Sequence, residues 1–252
     1  MQVTILGCGT SVGVPRLGGD WGRCDPGEPR NRRRRASILV QAEGLNVVVD
    51  TGPDFREQGL SVDLRRLDAV LYTHAHADHC HGIDDIRSFT YLQNERIPLW
   101  AAEDTLDSLK TRFGYVFNGR GPYPAMAGAN IFTPGERFRI GNLDVLPFAQ
   151  NHGPIDSYGF RFGDIAYSTD FKELDDRALA ALAGVRVWIV DALQREPHPT
   201  HCHLERTLDY IERLGCRRAV LTHLNYTMDY AALKAELPAH IEPAYDGMRI
   251  AV

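Results

Sequence analysis

Residues 68–82 read DAVLYTHAHADHCHG, a short apolar run followed by His74, His76, Asp78, His79 and His81. Four of the ten histidines in the chain fall in this one stretch. The run from Ala69 to Thr73 follows Asp68 and reads as a buried strand. Strand geometry sends alternate residues the same way, so where this strand leaves the core His74 and His76 share a side. Asp78 and His79 are adjacent, and a tight turn aims them at a second point nearby. Imidazole nitrogens with carboxylate oxygens suit zinc, manganese or iron, whereas copper(I) and iron–sulfur sites call for thiolates. A solvated loop that happens to carry histidines accounts poorly for this spacing.

Outward from that stretch, strand-like and helix-like runs alternate. VTIL, SILVQA and LNVVVD precede it as short strands, and DDIRSFTYLQNE follows as the first clear helix. A strand IPLWAA and a helix EDTLDSLKTRF come next. The Gly/Pro-rich stretch GYVFNGRGPYPAMAGAN reads as an exposed loop or insertion. Strands resume with RFRI, LDVLPFA, YGFRF and IAYSTD, then alternate with helices through LDDRALAALAG, RVWIVDA, LERTLDYIERLG, RAVLTH, YAALKAEL and MRIAV. Two strand-rich halves, each with helices, predict one α/β domain over residues 1–252. Its layers are two sheets face to face with helices outside, a four-layer αββα sandwich.

The spacing H-x-H-x-D-H after a strand resembles the signature of the metallo-β-lactamase-fold hydrolases. That resemblance extends along most of the chain: His152 follows LDVLPFA, Asp170 ends IAYSTD and His223 ends RAVLTH. It implies that His74, His76 and His152 take one divalent cation and that Asp78, His79 and His223 take the other. Asp170 is the implied bridge, and Asp50, ending LNVVVD, is expected to support the first ligand histidine. Two cations, zinc or manganese, activate a shared water for attack on phosphorus or an acyl carbon.

Three further stretches narrow the chemistry. LGCGTSVGVPRLGG offers a glycine turn with Ser11 as a phosphate contact. PTHCHLERT places His201 and His203 before a helix, where one of them can protonate a leaving oxygen. YDGM places Asp246 where it can hold such a histidine or a substrate hydroxyl. Together they are similar to the phosphoribosyl cyclic phosphate phosphodiesterases of the carbon–phosphorus lyase pathway. The similarity implies His201 as general acid, Asp78 as a second catalytic residue, and His203, Ser11 and Asp246 at the substrate. Those relatives carry clustered cysteines for a structural zinc. Here Cys24 stands alone, so that zinc is expected to be absent.

A formal net charge of −5 gives no global attraction for nucleic acid or an anionic membrane. The expected reaction is hydrolysis of a small phosphodiester. A tRNA 3′-processing endonuclease needs a basic surface or a charged arm, and GYVFNGRGPYPAMAGAN fits a lid or dimer contact better. A thioesterase is the remaining enzymatic alternative, and a metal-binding structural protein the non-enzymatic one. NRRRR, ending at Arg35, reads first as a solvated face. Five scattered cysteines and no long apolar run predict a reduced, cytoplasmic protein without a membrane span.

Overall fold

The computed structural model describes residues 1–251. In the first half, β1 (Gln2–Gly7), β2 (Ser37–Ala42) and β3 (Leu45–Val49) follow one another, each antiparallel to the next. Glu43 and Gly44, both at positive φ, make the tight turn between β2 and β3. Then come α1 (Phe55–Ser61), β4 (Ala69–Leu71), α2 (Ala77–Cys80), α3 (Arg87–Gln93), β5 (Ile97–Ala101), α4 (Glu103–Asn118) and β6 (Ala127–Ile131). From β3 to β6 the pairing is parallel, as the intervening helices require.

The second half repeats the arrangement. A meander of β7 (Phe138–Ile140), β8 (Leu143–His152), β9 (Ile155–Phe162) and β10 (Ile165–Ser168) leads into α5 (Asp176–Leu182). There follow β11 (Val187–Asp191), α6 (Leu204–Leu214), β12 (Arg218–Thr222), α7 (Tyr230–Glu236) and β13 (Ile241–Pro243). The last strand, β14 (Arg249–Ala251), crosses back to pair with β1. The sheet orders are β14–β1–β2–β3–β4–β5–β6 and β13–β12–β11–β10–β9–β8–β7.

Three apolar layers hold this together. Val3, Ile5, Val40 and Val49 of one sheet meet Phe160, Tyr167, Ile189 and Val220 of the other. Leu39, Val48 and Leu99 back onto Phe55, Ile86, Phe89 and Leu106 outside the first sheet. Trp188, Val190 and Leu221 back onto Leu179, Ile211 and Leu233 outside the second. Side chains alternate across each strand, so one sheet feeds two layers. The architecture is the expected αββα sandwich.

Local differences from the sequence expectations have local causes. The first helix is α1, whose seven residues are too few to show a helical period. GYVFNGRGPYPAMAGAN is not a free insertion: its start completes α4 and its end enters β6 as an edge strand. Glycine and alanine there suit close parallel pairing with β5 but carry little strand propensity. Apart from exposed Arg32, the arginine run is not a solvated face. Arg33 is fully buried and donates to the carbonyls of Asn225 and Met228. Arg34 pairs with Asp246 and Arg35 with Asp54. All five cysteines are buried and unpaired, and no helix among the described residues is long and apolar enough to cross a membrane.

Candidate metal centre

The strands β3, β4, β8, β10, β11 and β12 all end on one edge of the sandwich, delivering Asp50, His74, His152, Asp170, Asp191 and His223 there. Carboxyl ends of parallel strands are where open α/β sheets place their ligands. Three of these residues, Asp50, Asp170 and His223, lie in the left-handed backbone region, with φ of 64°, 54° and 56°. Non-glycine residues adopt it at a cost, which tertiary structure holds in place at working sites.

Two groups of side chains converge. His74, His76 and His152 bring one ligand atom each within 4.8 Å of one another, and so do Asp78, His79, Asp170 and His223. Asp170 stands between them with its oxygens divided. Oδ1 lies 3.2 Å from His79 Nε2 and 3.4 Å from His223 Nε2. Oδ2 faces the other way, 4.0 Å from His74 Nε2 and 3.8 Å from His152 Nε2. Ligands ~2.1 Å from a tetrahedral ion stand ~3.3 Å apart, so these separations match donors surrounding a cation. His79 Nε2 and His223 Nε2 are buried and lack a hydrogen-bond partner. Such orphaned atoms are costly in a folded interior unless something binds them. The donor set therefore fits two divalent cations.

Electrostatics point the same way. Burial pushes the imidazoles of His74 and His152 below their ordinary pKa, His74 furthest, which favours the neutral form that binds metal. Burial alone would raise Asp170, but His223 and His79 outweigh it and hold the carboxyl well below its usual range.

Buried partners fix the outer nitrogens. His79 Nδ1 donates to Asp50 Oδ2 at 2.7 Å. His74 Nδ1 lies 3.0 Å from the Thr73 hydroxyl, which itself donates to Asp50 Oδ2 at 2.8 Å. Asp50 thus holds His79 directly and the first histidine only through Thr73, correcting the expected contact. His152 Nδ1 donates to the Thr200 carbonyl at 2.9 Å.

His201 completes the cleft. Its Nδ1 meets Asp191 Oδ2 at 3.1 Å, leaving Nε2 3.9 Å from Asp170 Oδ2. Burial lowers this imidazole's pKa, but the bond to Asp191 and that carboxylate's charge outweigh it, raising it to about 9. The cleft, about 150 Å³, is lined by Ser11, Pro154 and Thr200 besides the histidines and carboxylates. A larger hollow of about 470 Å³ beside Phe55, Leu60 and Leu92 carries no such convergence.

Other expected site residues stand elsewhere. His203 is the N-cap residue of α6 and does not line the cleft. Asp246 accepts from Cys8 N and from Arg34 N and Nε, so it anchors the opening turn and holds neither histidine. In that turn Gly9 N donates to Arg34 O and Gly13 N to Thr10 O, so these groups are not free for phosphate. The glycines serve close packing: a Cβ on Gly7 would sit 2.0 Å from Arg35 O. Cys24 has Arg33 beside it at 3.9 Å, and among the described residues it joins no cation cluster. Asp191, Thr73 and Thr200 are the functional neighbours that spacing alone did not single out.

Comparison with known proteins agrees with this geometry. A family described as beta-lactamase superfamily domain matches residues 45–224. A solved structure of a new diphosphatase from the PhnP family is 36% identical, with a TM-score of 0.92, covering 100% of this chain and 97% of that one. The octanoyltransferase of Porphyromonas gingivalis is 34% identical over 98% of this chain and 51% of its own length. A ribonuclease Z of Bradyrhizobium is 32% identical over 62% of this chain and 51% of its own length. The chain therefore spans about half the length of these two relatives. The chain belongs to the beta-lactamase superfamily and, within it, to the PhnP family, and its two His/Asp clusters suit a dinuclear metal centre.

Proposed function

We propose that the protein hydrolyses a small phosphodiester, cyclic or nucleotide-like. The observation that carries this reading is His201, whose Nε2 faces the cleft between the two cation clusters while its Nδ1 rests on buried Asp191. On this reading His74, His76 and His152 hold one cation, Asp78, His79 and His223 hold the other, and Asp170 bridges them. Zinc and manganese both suit these donors. When bound, the cations supply charge that draws in phosphoryl oxygens and acidifies water.

The remaining work falls to the side chains. His201, as imidazolium, gives its Nε2 proton to the departing alkoxide, and Asp191 keeps the ring oriented and its charge matched. Asp78 and Asp170 offset the cations' mutual repulsion. Ser11, held from outside through Arg35 Nε donating to its carbonyl at 3.1 Å, takes a phosphoryl oxygen at the rim. The cleft's small volume favours a small substrate over RNA, and five unpaired thiols suit a reducing cytoplasm.

The test is leaving-group dependence. His201→Ala should lose ~10²–10⁴-fold in rate on a phosphodiester with a poor alcohol leaving group. The loss should be much smaller with p-nitrophenolate, which departs without a proton, while two metals remain bound. His203→Ala, outside the cleft, is the control. Equal losses on both substrates would contradict the acid role. The related diphosphatase supports a second reading, cleavage of a P–O–P bond. A diphosphate in the same panel decides it: its phosphate leaving group needs little help from His201, so turnover there surviving His201→Ala favours that reading.

A further inference from the structure

Three of the five ligand imidazoles are steadied through their outer nitrogens, by Thr73, Asp50 and Thr200, and a fourth, His223, is buried with its Nδ1 3.8 Å from the Asp191 carboxylate. His76 is not so held. It is exposed, and among the described residues the only hydrogen-bond partner of its ring is the neighbouring ligand His74. What fixes His76 is its backbone, held on both sides. The carbonyl before it, of Ala75, accepts from Arg112 Nη2 at 2.5 Å. Its own carbonyl accepts from the buried Cys80 thiol at 3.1 Å.

We infer that Arg112 is a positioning residue for the cation site formed by His74, His76 and His152, clamping the loop that carries the first two. The inference rests on the dinuclear reading above. Arg112 stands on α4 just before that helix departs from helical geometry at Phe113 (φ −124°, ψ 36°). Its guanidinium lies 5.4 Å from the Phe113 ring centroid, and that ring meets His81 edge-on at 5.6 Å. Nη1 reaches 3.4 Å from His81 Nε2 while Nη2 holds Ala75 O. One planar fork thus spans α2, touching the chain before and after it. A lysine has one donor centre and cannot make both contacts. Among the described residues Arg112 forms no ion pair, so none of their carboxylates draws it away.

Clamp and charge make opposite predictions. A guanidinium acting only as a nearby positive charge repels a cation, so its removal would tighten binding. A guanidinium that orients a ligand strengthens binding, and losing such outer support costs 10–100-fold in metal affinity. The experiment titrates metal-free wild type, Arg112→Ala, Arg112→Lys and Lys110→Ala with Zn²⁺ against a chromophoric chelator. Thermal melts accompany it, and the exposed side chain makes the variants fold like wild type. The expected result is that Arg112→Ala weakens one of the two binding steps about tenfold, the low end of that range, and leaves the other unchanged. Arg112→Lys falls between, and Lys110→Ala matches wild type. Unchanged or tighter binding in Arg112→Ala overturns the inference, as does equal weakening of both steps. A wild type that takes up fewer than two Zn²⁺ contradicts the dinuclear reading instead, and this inference with it.

Discussion

Asp191 holds one imidazole and lies close to a second. Its Oδ2 holds His201 Nδ1 at 3.1 Å, and its Oδ1 lies 3.8 Å from His223 Nδ1. The carboxylate is fully buried and ends β11, so its negative charge is tolerable only beside groups that donate to it. Asp191→Asn keeps the shape and removes the charge. We expect both functions to suffer: metal affinity falls 10–100-fold through His223, and hydrolysis of poor leaving groups falls through His201. Metal titration and rates on the two leaving-group classes measure these separately. Unchanged values for both would reduce Asp191 to a packing residue. RVWIVDA advertised a strand, and its aspartate, Asp191, carried the same signal as the one in IAYSTD: a carboxylate closing an apolar run must be partnered. The metal-ligand motif was legible because it is compact. Asp246 misled because a carboxylate near the C-terminus can reach several places, and here it is taken by Arg34 and the opening turn.

At the scale of elements, the centre depends on two turns lying against each other. The segment after β3, Thr51–Gly52–Pro53, packs on the loop from His74 to Gly82. Gly82 N donates to Thr51 O at 2.8 Å. A Cβ on Gly52 would sit 2.0 Å from Asp78 O, and one on Gly82 would sit 2.1 Å from Gly52 O. Both contacts are with backbone, which cannot swing aside. Gly52→Ala should therefore cost ~1–3 kcal/mol in a thermal or urea melt and displace Asp78, lowering metal content. Gly128→Ala in β6, where the added carbon meets nothing within 4 Å, should stay within ~0.5 kcal/mol of wild type. Equal effects at the two sites would remove this account of the turn. The strands and longer helices were legible from their periods. This turn-on-turn contact was not, because a glycine in sequence shows freedom of backbone and not the neighbour that requires it. The edge strand β6 escaped for a related reason, since its small residues serve close approach more than burial.

Across the whole molecule, each sheet supplies part of a site that neither holds alone. The first gives His74, His76, Asp78 and His79 from one loop after β4. The second gives His152, Asp170 and His223 from the ends of β8, β10 and β12. The layered architecture was legible because the two halves repeat the same alternation of strands and helices. That all the ends fall on one edge follows from β8, β10, β11 and β12 running the same way in one sheet, β3 and β4 doing so in the other, and the facing of the sheets, which no single stretch of sequence displays. Asp170 joins the two contributions, with Oδ1 toward His79 and His223 and Oδ2 toward His74 and His152. If that division is what makes the centre dinuclear, its removal leaves cation repulsion uncompensated. The most direct measurement is the metal-to-protein ratio, taken together with turnover, for wild type and Asp170→Ala. Two metals in the wild type, and fewer than two with turnover abolished in Asp170→Ala, is the predicted result. Full activity with a single bound metal, or two metals retained without Asp170, would contradict it.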